Sequence, residues 1–168
     1  MKTTIRAVAL VAMALSSGAA MAVQPNGFIA AATPSQESSH NPSIANPELV
    51  PSCVASFRIA NSDTLVFRIR CANISDVTAA HIHGPAPADV SGPVIVTLSG
   101  PMSGEVVGVL AAGTITRSGL GSTAYDALLA DMKADLTYLN VHTSANPAGE
   151  VRGQITPVRL PDGPQLVF

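Results

Sequence analysis

Three of the four histidines in this chain fall in two short segments, Ala80-His81-Ile82-His83-Gly84 and Asn140-Val141-His142-Thr143. In an extended strand alternate side chains share a face. His81 and His83 therefore point one way and Ile82 the other. In the second segment Leu139 and Val141 take one face, while Tyr138, Asn140 and His142 take the opposite one. With the apolar residues turned to a core, all three imidazoles face outward. Two histidines at i and i+2 on one strand, with a third on a neighbouring strand, can converge on a single metal ion. Imidazole suits Cu(II), Zn(II) and Ni(II), with Cu(II) first in intrinsic affinity. Three histidines with one open position is also a catalytic zinc pattern. Copper is the expected ion and zinc the alternative. Gly84 and Pro85 close the first strand with a rigid turn that holds the pair in place.

Other polar residues sit where they could support such a site. Glu150, Arg152 and Gln154 share the outer face of the last strand. Two readings of the first two stay open. Glu150 and Arg152 could form an ion pair, or Glu150 could accept an imidazole N–H while Arg152 attracts an anion. Asn140, on the imidazole face, is a third candidate to support the ligands. His40 lies in a Pro-rich stretch and reads as a solvated linker residue able to swing onto a metal.

The elements that must position these residues are short strands. Cys53 to Cys71 reads as a β-hairpin, with Asn61-Ser62-Asp63 as its turn. Ala55, Phe57 and Ile59 alternate with Ser56 and Arg58, and Leu65, Phe67 and Ile69 alternate with Arg68 and Arg70. Cys53 and Cys71 fall on the apolar faces, directly opposite each other if the turn has three residues. Asn73 to Val77 reads as a connection. Val94–Leu98, Val106–Leu110, Gly113–Thr116, Leu136–Thr143 and Glu150–Ile155 read as further strands. Ser122 to Ala134 is the one expected helix, capped by Ser122, with Tyr125, Leu128, Leu129 and Met132 on one face. About seven short strands separated by turn residues predict an all-β fold: an antiparallel Greek-key sandwich or barrel with one short helix.

The chain start sets the compartment. Lys2 and Arg6 precede an apolar run, Ala7 to Leu15, that is too short to span a bilayer, and Ala20-Met21-Ala22 is an A-x-A cleavage site. Residues 1–22 read as a secretory signal peptide cut after Ala22. The mature protein is expected to be periplasmic or secreted, with no membrane span. Residues 23–51, scattered with Pro, Ser and Asn, read as a disordered linker. The folded unit is expected at 52–157 and an irregular tail at 158–168. In an oxidising compartment Cys53 and Cys71, the only two cysteines, read as a disulfide, with thiolate metal ligation as the rival. Without the leader, 7 of the 9 basic residues remain against 11 acidic ones, a net charge of −4. That argues against nucleic acid and anionic lipid as partners. There is no Gly-rich phosphate loop, no nucleophile elbow and no carboxylate pair on one face.

Three motifs in order then resemble the CHRD domain, a module named from chordin and also found in exported bacterial proteins. They are His81-Ile82-His83-Gly84-Pro85-Ala86, Tyr138-Leu139-Asn140-Val141-His142-Thr143 and Asn146-Pro147-Ala148-Gly149-Glu150-Val151-Arg152-Gly153-Gln154-Ile155. The resemblance implies an extracellular β-rich module, whose context in animals is growth-factor binding. A second resemblance is to the copper-ligand pattern of copper/zinc superoxide dismutases, which are antiparallel Greek-key sandwiches with copper on the outer face. It implies His81, His83 and His142 as copper ligands and Arg152 as an anion-guiding arginine. No histidine lies between His83 and His142, so the metal-bridging histidine and the zinc cluster have no counterpart and the site is mononuclear. The expected function is a metal-binding protein serving copper sequestration or delivery. The alternatives are a metal-independent module with an envelope or extracellular protein partner, and a copper-only dismutase-like enzyme.

Overall fold

In the computed structural model of the chain, residues 25–38 and 41–160 are described. The leader at 1–22, its cut after Ala22, His40 and the chain end from 161 to 168 lie outside the described residues. The architecture is the expected all-β one, with the strands paired antiparallel throughout.

One strand organises the rest. The hairpin forms as its alternation dictates: β2 (Ser52–Asn61) and β3 (Thr64–His83) pair antiparallel, with Cys53 opposite Cys71. The two cysteines form a disulfide with an S–S distance of 2.03 Å. Ala55, Phe57, Leu65, Phe67 and Ile69 are buried on the inner face. The sequence reading ends the second strand at Cys71, but β3 runs on for 20 residues to His83. Asn73 and Asp76 have positive φ, 57° and 50°, and the pairing register shifts around them. Asn and Asp tolerate this conformation, so they make bulges that bend the strand without ending it. Ile74 and Val77 stay buried across the bend. In the same way β5 (Met102–Thr116) is one long strand where two short ones were expected.

The first part of β3 pairs with β2 and β5, and the last part with β4 (Val94–Ser99) and β6 (Tyr138–Thr143). β7 (Val151–Gln154) then pairs with β6. Between β5 and β6 lie a single helical turn, α1 (Arg117–Leu120), and the helix α2 (Ser122–Lys133). α2 buries Tyr125, Leu128 and Met132, as its apolar face predicts. Its N-cap is Gly121 rather than Ser122, which is the first helical residue and makes no capping bond. Arg117 binds Asp63 in the hairpin turn at 2.7 Å and Asp126 on α2 at 2.8 Å.

The clearest departure from expectation lies in residues 23–51. Gly27–Ala32 is not disordered linker but a strand, β1, paired with β2. Phe28, Ala30 and Ala32 point inward and are buried, while Ile29 and Ala31 point out. The alternation is present but carried by alanines, which a Pro- and Ser-rich neighbourhood conceals. The expected tail also begins inside the fold: β8 (Thr156–Val158) pairs with β1, and Leu160 N–H donates to Asn26 Oδ1 at 2.6 Å.

The strand order is β7-β6-β3-β2-β1-β8. Just after β1, Thr33 N–H donates to Arg152 O at 2.9 Å and Arg152 N–H to Thr33 O at 3.2 Å. That bridge joins β7, one end of the path, to the chain just past β1, next to the other end, and the sheet becomes a nearly closed barrel. Its interior holds Phe28, Phe57, Leu65, Ile69, Ile82, Leu139, Val141, Val151 and Ile155, all fully buried.

Candidate metal centre

On the outer face of β3 and β6 the pairing sets the histidines side by side. His83 lies opposite Tyr138, His81 opposite Asn140, and His142 opposite Ala79, whose small side chain leaves space beside His81. The imidazole centroids are 5.0 Å apart for His81 and His142, 5.5 Å for His81 and His83, and 5.9 Å for His83 and His142. One nitrogen from each ring lies within 4.8 Å of the others. The three sequence-predicted ligands therefore come together and could hold one metal ion. Nitrogens bound to one ion at about 2.1 Å would be roughly 3.4 Å apart. Small rotations of the rings close that gap.

The ring orientations are fixed by backbone. His83 Nδ1 lies 3.0 Å from Gly92 O and His142 Nδ1 lies 3.1 Å from Pro147 O. A carbonyl only accepts, so in both rings Nδ1 carries the proton and Nε2 offers the lone pair. His83 Nε2 and His81 Nδ1 are buried and take no hydrogen bond from the described residues. Buried polar nitrogens without a bond are costly, and an ion between the rings would satisfy them. This is the observation on which the fit to a metal rests.

The imidazoles face away from the core, as expected; His81 and His142 are half-buried, while His83 is nearly closed off from solvent. His83 is 9% exposed. It stacks on Tyr138 at 5.0 Å with an interplanar angle of 13°. The loop from Gly84 to Pro93 covers it. Gly92 anchors that loop: its O accepts from His83 Nδ1–H and Tyr138 O–H, and its N–H donates back to the Tyr138 oxygen. Burial lowers the affinity of His81 for a proton, and the neighbouring His142 and His83 rings lower it further. His83 is also held below its ordinary value, by burial first; the Gly92 carbonyl opposes this and Arg152 adds to it. Both effects favour the neutral imidazole, the form that binds metal.

The supporting residues differ from expectation. Among the described residues Glu150 accepts no imidazole N–H. Its Oε2 takes bonds from the Thr143 hydroxyl and the Asn146 amide, because the turn at 146–149 brings those donors to it. Among the described residues Arg152 pairs with no carboxylate, and at 2% exposure it guides no anion from solvent. Its guanidinium donates to Ser38 Oγ at 2.7 Å, Val90 O at 2.8 Å and Pro87 O at 3.3 Å, and lies 3.6 Å from the Tyr138 ring centroid. Tyr138 thus lies between Arg152 on β7 and His83 on β3. Asn140 is 5% exposed beside His81, with Oδ1 buried and unbonded.

Sequence reasoning missed Gly92 and Pro147, whose carbonyls orient two rings. A carbonyl is common to every residue, so no residue type marks it. It also missed Glu37, whose Oε1 lies with the Asn140 amide against Gly149. A Cβ on Gly149 would come within 2.5 Å of both oxygens, and its φ of +130° favours glycine.

Comparison with known proteins agrees with the three motifs. The chain matches the family model of the CHRD domain over residues 28–155. It belongs to the CHRD-domain family, and the match includes β1. No curated protein and no solved structure matches it significantly.

Proposed function

We propose that the chain is an exported CHRD-domain protein that binds one metal ion, copper before zinc, through His81, His83 and His142, for sequestration or delivery. The observation that carries this is the convergence of three imidazole nitrogens within 4.8 Å, with those of His81 and His83 buried and taking no hydrogen bond from the described residues. All three ligands are neutral nitrogens, a set that suits copper and zinc over calcium or magnesium. When bound, the metal supplies a positively charged centre with at least one open coordination position. The chain's own residues orient the rings through Gly92 and Pro147, keep His83 neutral and cover it with the Gly84–Pro93 loop. Residues 1–22 serve as a leader removed on export to the periplasm or beyond, which agrees with a disulfide-bonded, extracellular-type domain.

Calorimetric titration of the mature protein with Cu(II), read beside EPR, tests this. The expected result is one ion per chain, with nitrogen hyperfine structure from imidazole. No binding by the folded protein ends the reading. Tighter binding of zinc than copper replaces the metal and keeps the site.

A further inference from the structure

β3 has partners along both sides, and the residues that pair twice sort them. Val77 pairs with Met102 and Thr143, and His81 with Thr97 and Asn140. β2 and β6 therefore follow one another along one side of β3, and β5 and β4 along the other. Among the described residues β5 pairs with β3 alone. Its second edge presents a row of backbone donors and acceptors, a template for another strand.

Three observations say which strand. The chain guards its other free edges with short length and proline, the usual devices. β8 is three residues long and carries Pro157, and β4 runs between Pro93 and Pro101. β5 has 15 residues, and from Val106 to Thr116 it holds no proline and no charged residue. Next, its far end is regular and has apolar company. The pairing register slips beside Leu110 and then runs unbroken, Ala111 to Thr116 against Ile69 to Thr64. Val107 and Val109, just before this stretch, are 76% and 42% exposed. Finally, the run suits its own copy. In a two-fold antiparallel pair each residue near the axis faces itself or a close neighbour in sequence, so any charge there would meet its like. Ala111 to Thr116 carries no charge to repel its copy.

We propose that the mature protein forms a two-fold dimer in which the free edges of β5 pair antiparallel, with the axis at Gly113 or Thr114. The axis falls on a residue because inward side chains must face inward ones across the pair. The contact closes at two copies and continues one sheet through both. The histidine clusters, at the other end of β3, stay outside it.

The test is sedimentation velocity of the mature protein in chelator over about a hundredfold range of concentration, wide enough to cross a dimer dissociation constant. The mass should rise to that of two chains and stop there. Thr114→Lys places like charges beside the axis and should weaken association about tenfold. Thr114 is exposed, so this variant should fold, as circular dichroism will check. Val54→Lys adds the same charge to the same outer face, two strands from the edge, and should dimerise as wild type does. The variant with His81, His83 and His142 changed to Ala should also dimerise normally, which separates this proposal from the metal reading. A monomer at every concentration, growth beyond two chains, a dimer indifferent to Thr114→Lys, or equal weakening by Val54→Lys would each overturn it.

Discussion

The two halves of β3 obey the same alternation and end in different surroundings. In the first half the outward residues meet solvent: Val66 is 38% exposed, and on the flanking strands Val54 is 57% and Val109 42% exposed. At the end of the second half the outward residues become covered: His81 is half-buried and His83 9% exposed, with Asn140 and Arg152 at 5% and 2% on β6 and β7. The strand is the same; what differs is a second layer. The Gly84–Pro93 loop and the stretch around Ser38 lie over the histidine half, pinned by Arg152. Period-two patterning tells which way a side chain points. It does not tell what will lie on top of it, and here that layer separates a surface from a candidate ligand site.

The strongest way to break the comparison is to remove the ligands. Changing His81, His83 and His142 to Ala should abolish metal binding in calorimetry and leave the hairpin half, with its disulfide, folded by circular dichroism. Next comes the opposite half. Replacing Cys53 and Cys71 with Ala should lower stability by about 2–4 kcal/mol in denaturant titrations. Metal stoichiometry should stay at one, because the disulfide joins inward positions away from the imidazole face. Loss of the metal in that variant would mean that the two halves are not separable.

Arg152→Lys probes the covering layer alone. Lysine keeps the charge but cannot reproduce three donors and a stacked plane. Metal affinity should fall about tenfold, the scale of a lost ligand-supporting contact, with stoichiometry unchanged. A variant that binds as tightly as wild type would show that the loop needs no clamp.

The smallest effect is on pH. In the unfolded chain histidine titrates near pH 6.5. In the fold His81 and His83 are shifted below that. Just below pH 6.5 the unfolded state therefore binds more protons, and stability of the metal-free protein must fall as pH drops through that window. Denaturant midpoints at about pH 7.5 and about pH 5.5 should show the loss, and the triple-alanine variant should show less of it.

These contrasts also explain what was legible beforehand. The hairpin, the facing cysteines, the three imidazoles and the helix face are local patterns of period two or 3.6, and each appears as read. β1 was hidden because alanine carries little hydrophobic signal. The continuity of β3 was hidden because Asn73 and Asp76, residues typical of turns, serve as bulges. Arg152 lies on the expected strand and Glu150 just before it, at the end of the turn, but their partners are backbone carbonyls, Ser38, Thr143 and Asn146. Such partners come from distant loops that no spacing rule reaches.

The Thr33–Arg152 bridge has one more consequence. The backbone of Arg152 fastens β7 to the chain just past β1 and so nearly closes the barrel, while its side chain fastens the cover over His83. Local opening at that seam would release both together, so an ion held by His83 favours the closed form by mass action. Amide hydrogens of Thr33 and Arg152 should exchange more slowly with deuterium once copper is added, while those of Val54 and Arg70, in the disulfide-stapled half, keep their rates. The stitch that completes the barrel would then act as a gauge of whether the metal is present.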